Sequence, residues 1–329
     1  MRHRAGVVAL VLGLVVASAA TAVDSLPPWR TTASRDHPLV GRIWDVDAGL
    51  FVPPAALPGR LTRFRFVLLG EKHDNADHHR LQAWVLAELV AAGRRPNVAF
   101  EMLTTAQAPA VDRYLASNQR SAAGLGDAVE WGRSGWPDWR LYQPIADVAL
   151  RASLRIVATN LPESTMAAVR RSGVTALDPT LVARYELDRP LSAQDYAAMA
   201  QEIRAAHCGH ASDATVVTLV NAQRSRDAHM ADRLAAASEP DGAVLIAGAG
   251  HVRIDRGVPA ALRLARPGAS VLTLAFLEVE RDVTNPADYA AGFGVPTLPF
   301  QYVWFTPRVD DVDPCEKFKE SLERLREKR

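Results

Sequence analysis

The sequence predicts an α/β protein: a three-layer fold with a mostly parallel or mixed central sheet, helices on both faces, and a helical insert. Three observations carry this. Short runs rich in β-branched and aliphatic residues alternate with stretches of helical periodicity. Four of those runs lead directly into polar side chains suited to ligation or proton transfer. Between Leu161 and Pro240 the pattern is helical with no convincing strand, so this part reads as an insert, about 161–240, packed over the sheet.

The elements follow in order. Residues 23–60 are rich in Pro, Gly and Ala and read as an extended lead-in with one short strand at Gly41–Asp45. Strands are expected at Arg63–Leu69, Asn97–Phe100, Leu154–Thr159 and Ala243–Ala247, with late strands at Ser270–Val279 and Phe300–Phe305. A helix spans Asn75–Ala92, capped by Asp74 or Asn75, with Leu81, Val85 and Leu89 spaced for one buried stripe. Further helices are expected at Thr105–Ala116, at Leu141–Ala152 and from Pro259. The α/β domain as a whole covers 61–315, and residues 316–329 form a charged terminal helix whose simplest reading is a solvated tail.

Composition bounds the partners. The chain of 329 residues carries 38 basic and 37 acidic residues, a balance that gives no reason to expect nucleic acid or a strongly anionic membrane. At the N-terminus Arg2 and Arg4 precede an apolar run from Ala5 to Ala17, and Ala20-Thr21-Ala22 supplies small residues for cleavage. That run is shorter than the roughly 20 residues a membrane span needs, so residues 1–22 read as a signal peptide cleaved near Ala22. The mature chain is then exported, periplasmic or secreted. Two cysteines, Cys208 and Cys315, could pair in an oxidising compartment, depending on their distance in the fold. No CxxC spacing supports a cysteine zinc site.

The chemistry concentrates where strands end. FRFVLLG leads into Glu71 and His73, NVAF into Glu101, LRIVAT into Asn160, and AVLIAGAG into His251 and Arg253. Ligands of open α/β sheets bind beyond the carboxyl ends of the strands, so these groups should converge. Gly70 to His73 and Gly248 to His251 repeat the spacing G-x-x-H, each after a buried strand. Val216, Val220, Gln223, Asp227, Met230 and Leu234 share one helix face, which places Gln223 and Asp227 in an apolar stripe where an unpaired charge would be costly. They are expected to face a polar cavity or to bond the strand-end groups. Of His78 and His79, neighbours about 100° apart on a helix, one can point at the strand ends with Gln82 nearby, and the other is expected to be solvated. His207, Cys208 and His210 form a smaller cluster that a plain loop explains as well as a site does. Trp131, Trp136, Trp139 and Tyr142 fit either a wall for a flat apolar ligand or ordinary core.

LGEKHDNADHHRLQ at 69–82, VAFEM at 98–102, QRSRDAHMA at 223–231 and LIAGAGHVRIDRGVP at 245–259 together resemble the ChaN-like haem-binding uptake family of the Tiki/ChaN/erythromycin-esterase superfamily. The resemblance covers roughly residues 40–315. It implies the three-layer fold, export, and a role in haem or iron handling, with haem as the ligand. The expected cofactor-binding set is Glu71, His73, His78, His79, Gln82, Glu101, Gln223, Asp227, His251 and Arg253. A homodimer and a contact with outer-membrane or uptake machinery are the expected partners. Family haem binding involves a tyrosine ligand, and no motif assigns that role to a particular tyrosine here. Some members are lipoproteins, whereas no cysteine lies near this cleavage site.

Superfamily relatives use the same positions for hydrolysis, which leaves an alternative: a metal-dependent or His/Glu-dependent hydrolase of peptidase or esterase type. In that reading Glu71, His73, Glu101 and His251 are catalytic, and His73, Glu101 and His251 hold a divalent metal. Glu71 or Glu101 would then serve as general base. No G-x-S-x-G stands at a strand–helix turn, which disfavours a serine hydrolase.

Overall fold

A computed structural model describes residues 26–118, 120–313 and 315–316. The signal peptide at 1–22 and nearly all of the terminal helix at 316–329 lie outside the described residues. The elements run β1 (Ile43–Asp45), β2 (Leu50–Val52), α1 (Leu57–Leu61), β3 (Phe66–Glu71), α2 (Ala76–Ala91), β4 (Asn97–Thr104), α3 (Ala108–Ala116), α4 (Ala122–Ala128), α5 (Gln143–Arg151) and β5 (Ile156–Asn160). They continue with α6 (Glu163–Ser172), α7 (Pro179–Arg184), α8 (Ala193–Ala206), α9 (Asp213–Ala236), β6 (Ala243–Gly248), α10 (Val258–Ala265), β7 (Val271–Glu278) and β8 (Tyr302–Thr306).

One eight-stranded sheet has the order β2-β1-β8-β7-β3-β6-β4-β5. The run from β8 to β5 is parallel throughout, and β1 and β2 add an antiparallel hairpin at the β8 edge. This is the mixed, helix-covered sheet that the alternating pattern predicts. The lead-in differs from its expectation. Besides β1 it supplies β2 and α1, whose three and five residues are too short for any periodicity to reveal.

Strand alternation sorts side chains between two cores. Val67, Leu69, Val98, Phe100, Val244 and Ile246 pack with Leu81, Val85 and Leu89 of α2 and Ile145 of α5. Phe66, Leu68, Ala99, Leu245 and Ala247 pack on the other face with Met166 of α6, Met230 and Leu234 of α9 and Leu262 of α10. The expected stripe on α2 is therefore buried. Among the described residues of 161–240 the regular structure is helical, and α9 covers the β5 side of the sheet. Cys208, after α8, forms a disulfide with Cys315, Cα to Cα 5.7 Å.

The chain switches direction around β3. It moves out through β4 to β5, returns to insert β6 between β3 and β4, then crosses to β7 and β8. The carboxyl ends of β3, β6 and β4 are thereby side by side, at the kind of crevice where α/β sheets bind ligands.

The helix that lines this crevice is anchored at its start. Asn75 caps α2 by accepting from the Asp77 and His78 N–H groups and donates to Glu278 and the Pro307 carbonyl. Buried Asp77 accepts from the Arg30 and Thr31 N–H groups and the Thr31 hydroxyl, fastening the lead-in to α2. Asp77→Ala removes three acceptor contacts at once. It is expected to lower unfolding stability by about 1–3 kcal/mol in urea denaturation, with increased proteolysis within residues 26–42. A change below about 0.5 kcal/mol would show that this tether is not structural.

Candidate functional site

Alternation along β3 and β4 aims the two key carboxylates at opposite faces of the sheet. Glu71 continues the Val67–Leu69 face toward α2 and α5, while Glu101 continues the Ala99 face toward α9. Between them β6 ends in Gly248, whose register partner on β3 is Glu71. A Cβ on Gly248 would stand 2.9 Å from His73 Nε2, so glycine is what lets that imidazole lie across the strand end. A Cβ on Gly70 would meet Val252 Cγ2 at 2.4 Å and the Ala249 backbone at 3.0 Å, so the β6 turn packs against β3 only there.

On the α2 face, Glu71 Oε1 accepts from His73 Nδ1 at 2.9 Å and from the Tyr142 hydroxyl at 3.1 Å. His79 Nδ1 lies 3.1 Å from Glu71 Oε2, without hydrogen-bond alignment. His79 Nε2–H donates to the His73 carbonyl at 3.0 Å. Burial pushes the Glu71 carboxyl up, but His79 and His73 outweigh it and hold the group well below the usual carboxylate range. Tyr142 is buried beside that carboxylate, and burial and Glu71 together raise its phenol and keep it protonated.

On the α9 face, His251 is clamped between two carboxylates. Its Nδ1–H donates to Asp227 at 2.6 Å, and its Nε2 is 3.1 Å from Glu101. The Gln223 amide lies 3.0 Å from the same Nδ1. Glu101 also accepts from the Gly248 N–H at 2.7 Å. Burial lowers the basicity of His251, yet Glu101 and Asp227 raise it to about 10, so the ring is an imidazolium at neutral pH. Burial raises the Glu101 carboxyl, and His251 chiefly brings it down to about 2. Asp227 is raised by burial.

His73 joins the two halves. Its Nε2 is 3.9 Å from Glu101, its ring stacks obliquely on Trp136 with centroids 4.8 Å apart, and its side chain is 29% exposed. Burial works against protonation of His73, but Glu71 and Glu101 prevail and raise its affinity for a proton.

The structure thus brings together Glu71, His73, His79, Glu101, Gln223, Asp227 and His251. Three expected members do not reach this cluster. His78 is fully buried rather than solvated: it accepts from the Lys72 N–H and donates to Thr306, bracing α2 against β8. Burial holds its basicity well below that of a free histidine, so it sits there neutral. Gln82 donates to the Leu69 carbonyl, behind β3. Arg253 spends its guanidinium on Asp255, Glu202 and the Phe293 carbonyl and makes no bond to the clustered side chains. Asn160 bonds the following Leu161 N–H. Trp131, Trp139 and Tyr142 are core, whereas Trp136 stands at the site. Tyr142 was readable as core or wall but not as a donor to Glu71, since no local motif links positions 71 residues apart.

Among the described residues no group of three or more His, Cys, Asp or Glu side chains is arranged to hold a metal ion. His251 has both ring nitrogens against carboxylates, and Glu71 has its oxygens against His73, Tyr142 and His79. A cavity of about 300 Å³ opens beside His73, Gln223 and His251, walled by Met199, Ile203 and Leu219.

Fold and site together define the class: a three-layer α/β protein with a paired His/Glu cluster at its switch point. Residues 57–262 match the family described as haem-binding uptake, Tiki superfamily, ChaN, and the chain belongs to that family. A solved structure of cofacial haem binding to ChaN of Campylobacter jejuni is similar over 80% of this chain and 95% of that one, with a TM-score of 0.63 and 19% identity. Weaker likenesses are to the type III effector HopBA1 (TM-score 0.43, 16% identity, 76% of this chain and 91% of that one) and to a mutant of the erythromycin esterase EreC (0.40, 16%, 90% and 87%). No curated protein sequence matches.

The elevated His251 sets a pH dependence. Its contribution to stability is complete below the ordinary value of 6.5 and is lost as pH rises through about 10. Urea unfolding of the wild type and His251→Gln at pH 7, 8.5 and 10 is expected to show the wild-type advantage shrinking with pH. An advantage that stays constant over this range would contradict the clamped imidazolium.

Proposed function

We propose that this protein is an exported haem-binding protein that takes part in haem or iron uptake or handling, with haem as its cargo. The observation that carries the proposal is the state of His73. Of the clustered histidines it is the one with an exposed edge, and Glu71 fixes its Nδ1 proton, the second-shell arrangement that orients a ligating imidazole. His79 and His251 are enclosed and committed to carboxylates. Met199, Ile203 and Leu219 give the adjoining cavity apolar walls of the kind a porphyrin needs. Bound haem would bring an iron centre whose ligation is read directly in its absorption.

Tyr142 is an unsuitable ligand, being fully buried and bonded to Glu71. Tyr196, on α8, is 36% exposed and is the tyrosine to substitute beside His73. The hydrolase alternative is less well supported. Its general base would be Glu71 or Glu101, and their histidine partners hold both carboxyls well below the usual carboxylate range, which makes them poor proton acceptors at neutral pH. Export through residues 1–22, a homodimer enclosing the cargo, and docking on outer-membrane or uptake machinery complete the proposal.

Titrating purified protein with ferric haem is expected to give a saturable Soret band. His73→Ala should shift the band or weaken binding by about tenfold or more, and Tyr196→Phe should leave both unchanged. No saturable spectral change with wild type would dispose of haem as cargo. A response confined to Tyr196→Phe would move the iron ligand to α8.

A further inference from the structure

A second cavity, larger than the one beside His73, lies among the described residues. It encloses about 710 Å³, between the end of β4, α3, the segment around Glu130–Trp136 and the start of α6. That volume lies within the roughly 300–1,000 Å³ usual for small-molecule sites. Its apolar surface comes from Met102, Val129, Trp136, Leu161 and Met166.

The charges on its wall do not cancel. Glu130 is paired with Arg133, and Glu163 with Arg170, so both lining carboxylates already have guanidinium partners. Arg113 and Arg226 also line the cavity, and among the described residues neither makes a hydrogen bond or ion pair. Arg226 Nε is buried with no acceptor, an arrangement a folded chain rarely leaves without a purpose. Arg226 lies one position before Asp227 on α9 and also lines the smaller cavity at His73, so the two spaces adjoin through it. In addition α6 begins at this wall with no side-chain cap on its first turn. Its positive dipole end adds to the same field.

We propose that this cavity is a binding site for an organic anion, with its acid group on Arg226 and Arg113 and its apolar body against Met102, Trp136 and Met166. Arg226 supplies the enclosed contact and Arg113, exposed at the last turn of α3, the rim contact. Guanidinium matches carboxylate and sulfonate oxygens in paired hydrogen bonds, which selects for the charge rather than for size alone. The inference does not depend on haem being the cargo.

A matched pair of fluorescent probes tests it. 8-Anilinonaphthalene-1-sulfonate carries an anionic group on an aromatic body, and N-phenyl-1-naphthylamine is the same body without the charge. The sulfonate probe is expected to bind the full protein saturably, and Arg226→Met and Arg113→Met should each raise its Kd about tenfold. The uncharged probe should bind more weakly, with a Kd indifferent to both substitutions. Methionine keeps the aliphatic stem, and thermal melts of both variants establish that they fold. Equal affinity of the two probes, an unchanged Kd in both variants, or no saturable binding of the sulfonate probe would overturn the site. Failure of haem to give a Soret band, with the charge-dependent binding intact, would remove the haem reading and leave this one standing.

Discussion

Two carboxylates buried at the ends of β3 and β4, on either side of β6, set the terms for everything around them. Taking Glu71 and Glu101 out of water would cost several kcal/mol each if they were unpaired. Each therefore has a histidine in contact, His79 and His73 for Glu71 and His251 for Glu101. Because β3 and β4 aim the two carboxylates to opposite faces, one histidine set comes from α2 and the turn before it and the other from the β6 turn. The strand between them must also end without a side chain. Gly248 meets that last demand, and its N–H contributes a further bond to Glu101.

The same constraint explains which sequence features were legible. The alternating pattern located all six parallel strands to within a few residues, since each is an apolar run bounded by turn residues or helical periodicity. The glycines and polar groups following those runs marked the carboxyl ends, and the topology joins three of the four. Asn160 is the exception because β5 lies at the sheet edge, on the far side of β4 from β3 and β6. Gln223 and Asp227 were readable on α9 because polar residues in an apolar helix stripe need a partner, and His251 is that partner.

What stayed hidden depends on side-chain direction beyond the period of an element. His78 and His79 are adjacent, and the sequence says that they diverge but not where each leads. The β8 strand, more than 220 residues away, supplies Thr306 as the acceptor that buries His78. Arg253 follows His251 closely in sequence, yet its guanidinium pairs with Asp255 and Glu202 and not with the clustered carboxylates. Tyr142 and Trp136 reach the cluster only because α5 and its preceding loop dock on α2. Neither position carries a local signal for that contact.

The division of labour within the site bears on what it can do. A group that shuttles protons must change charge near neutral pH without dismantling its surroundings. His251 cannot, since losing its proton would leave Glu101 and Asp227 facing one another across a neutral ring. Glu71 is likewise committed, holding His73, Tyr142 and His79 in place. The buried part of the cluster is thus a rigid support, and the groups left to meet a ligand are the half-exposed imidazole of His73 and the unpartnered guanidinium of Arg226. One is a neutral donor when deprotonated and the other a fixed cation. Set in adjoining cavities, they place a titratable nitrogen and a fixed positive charge close to one another.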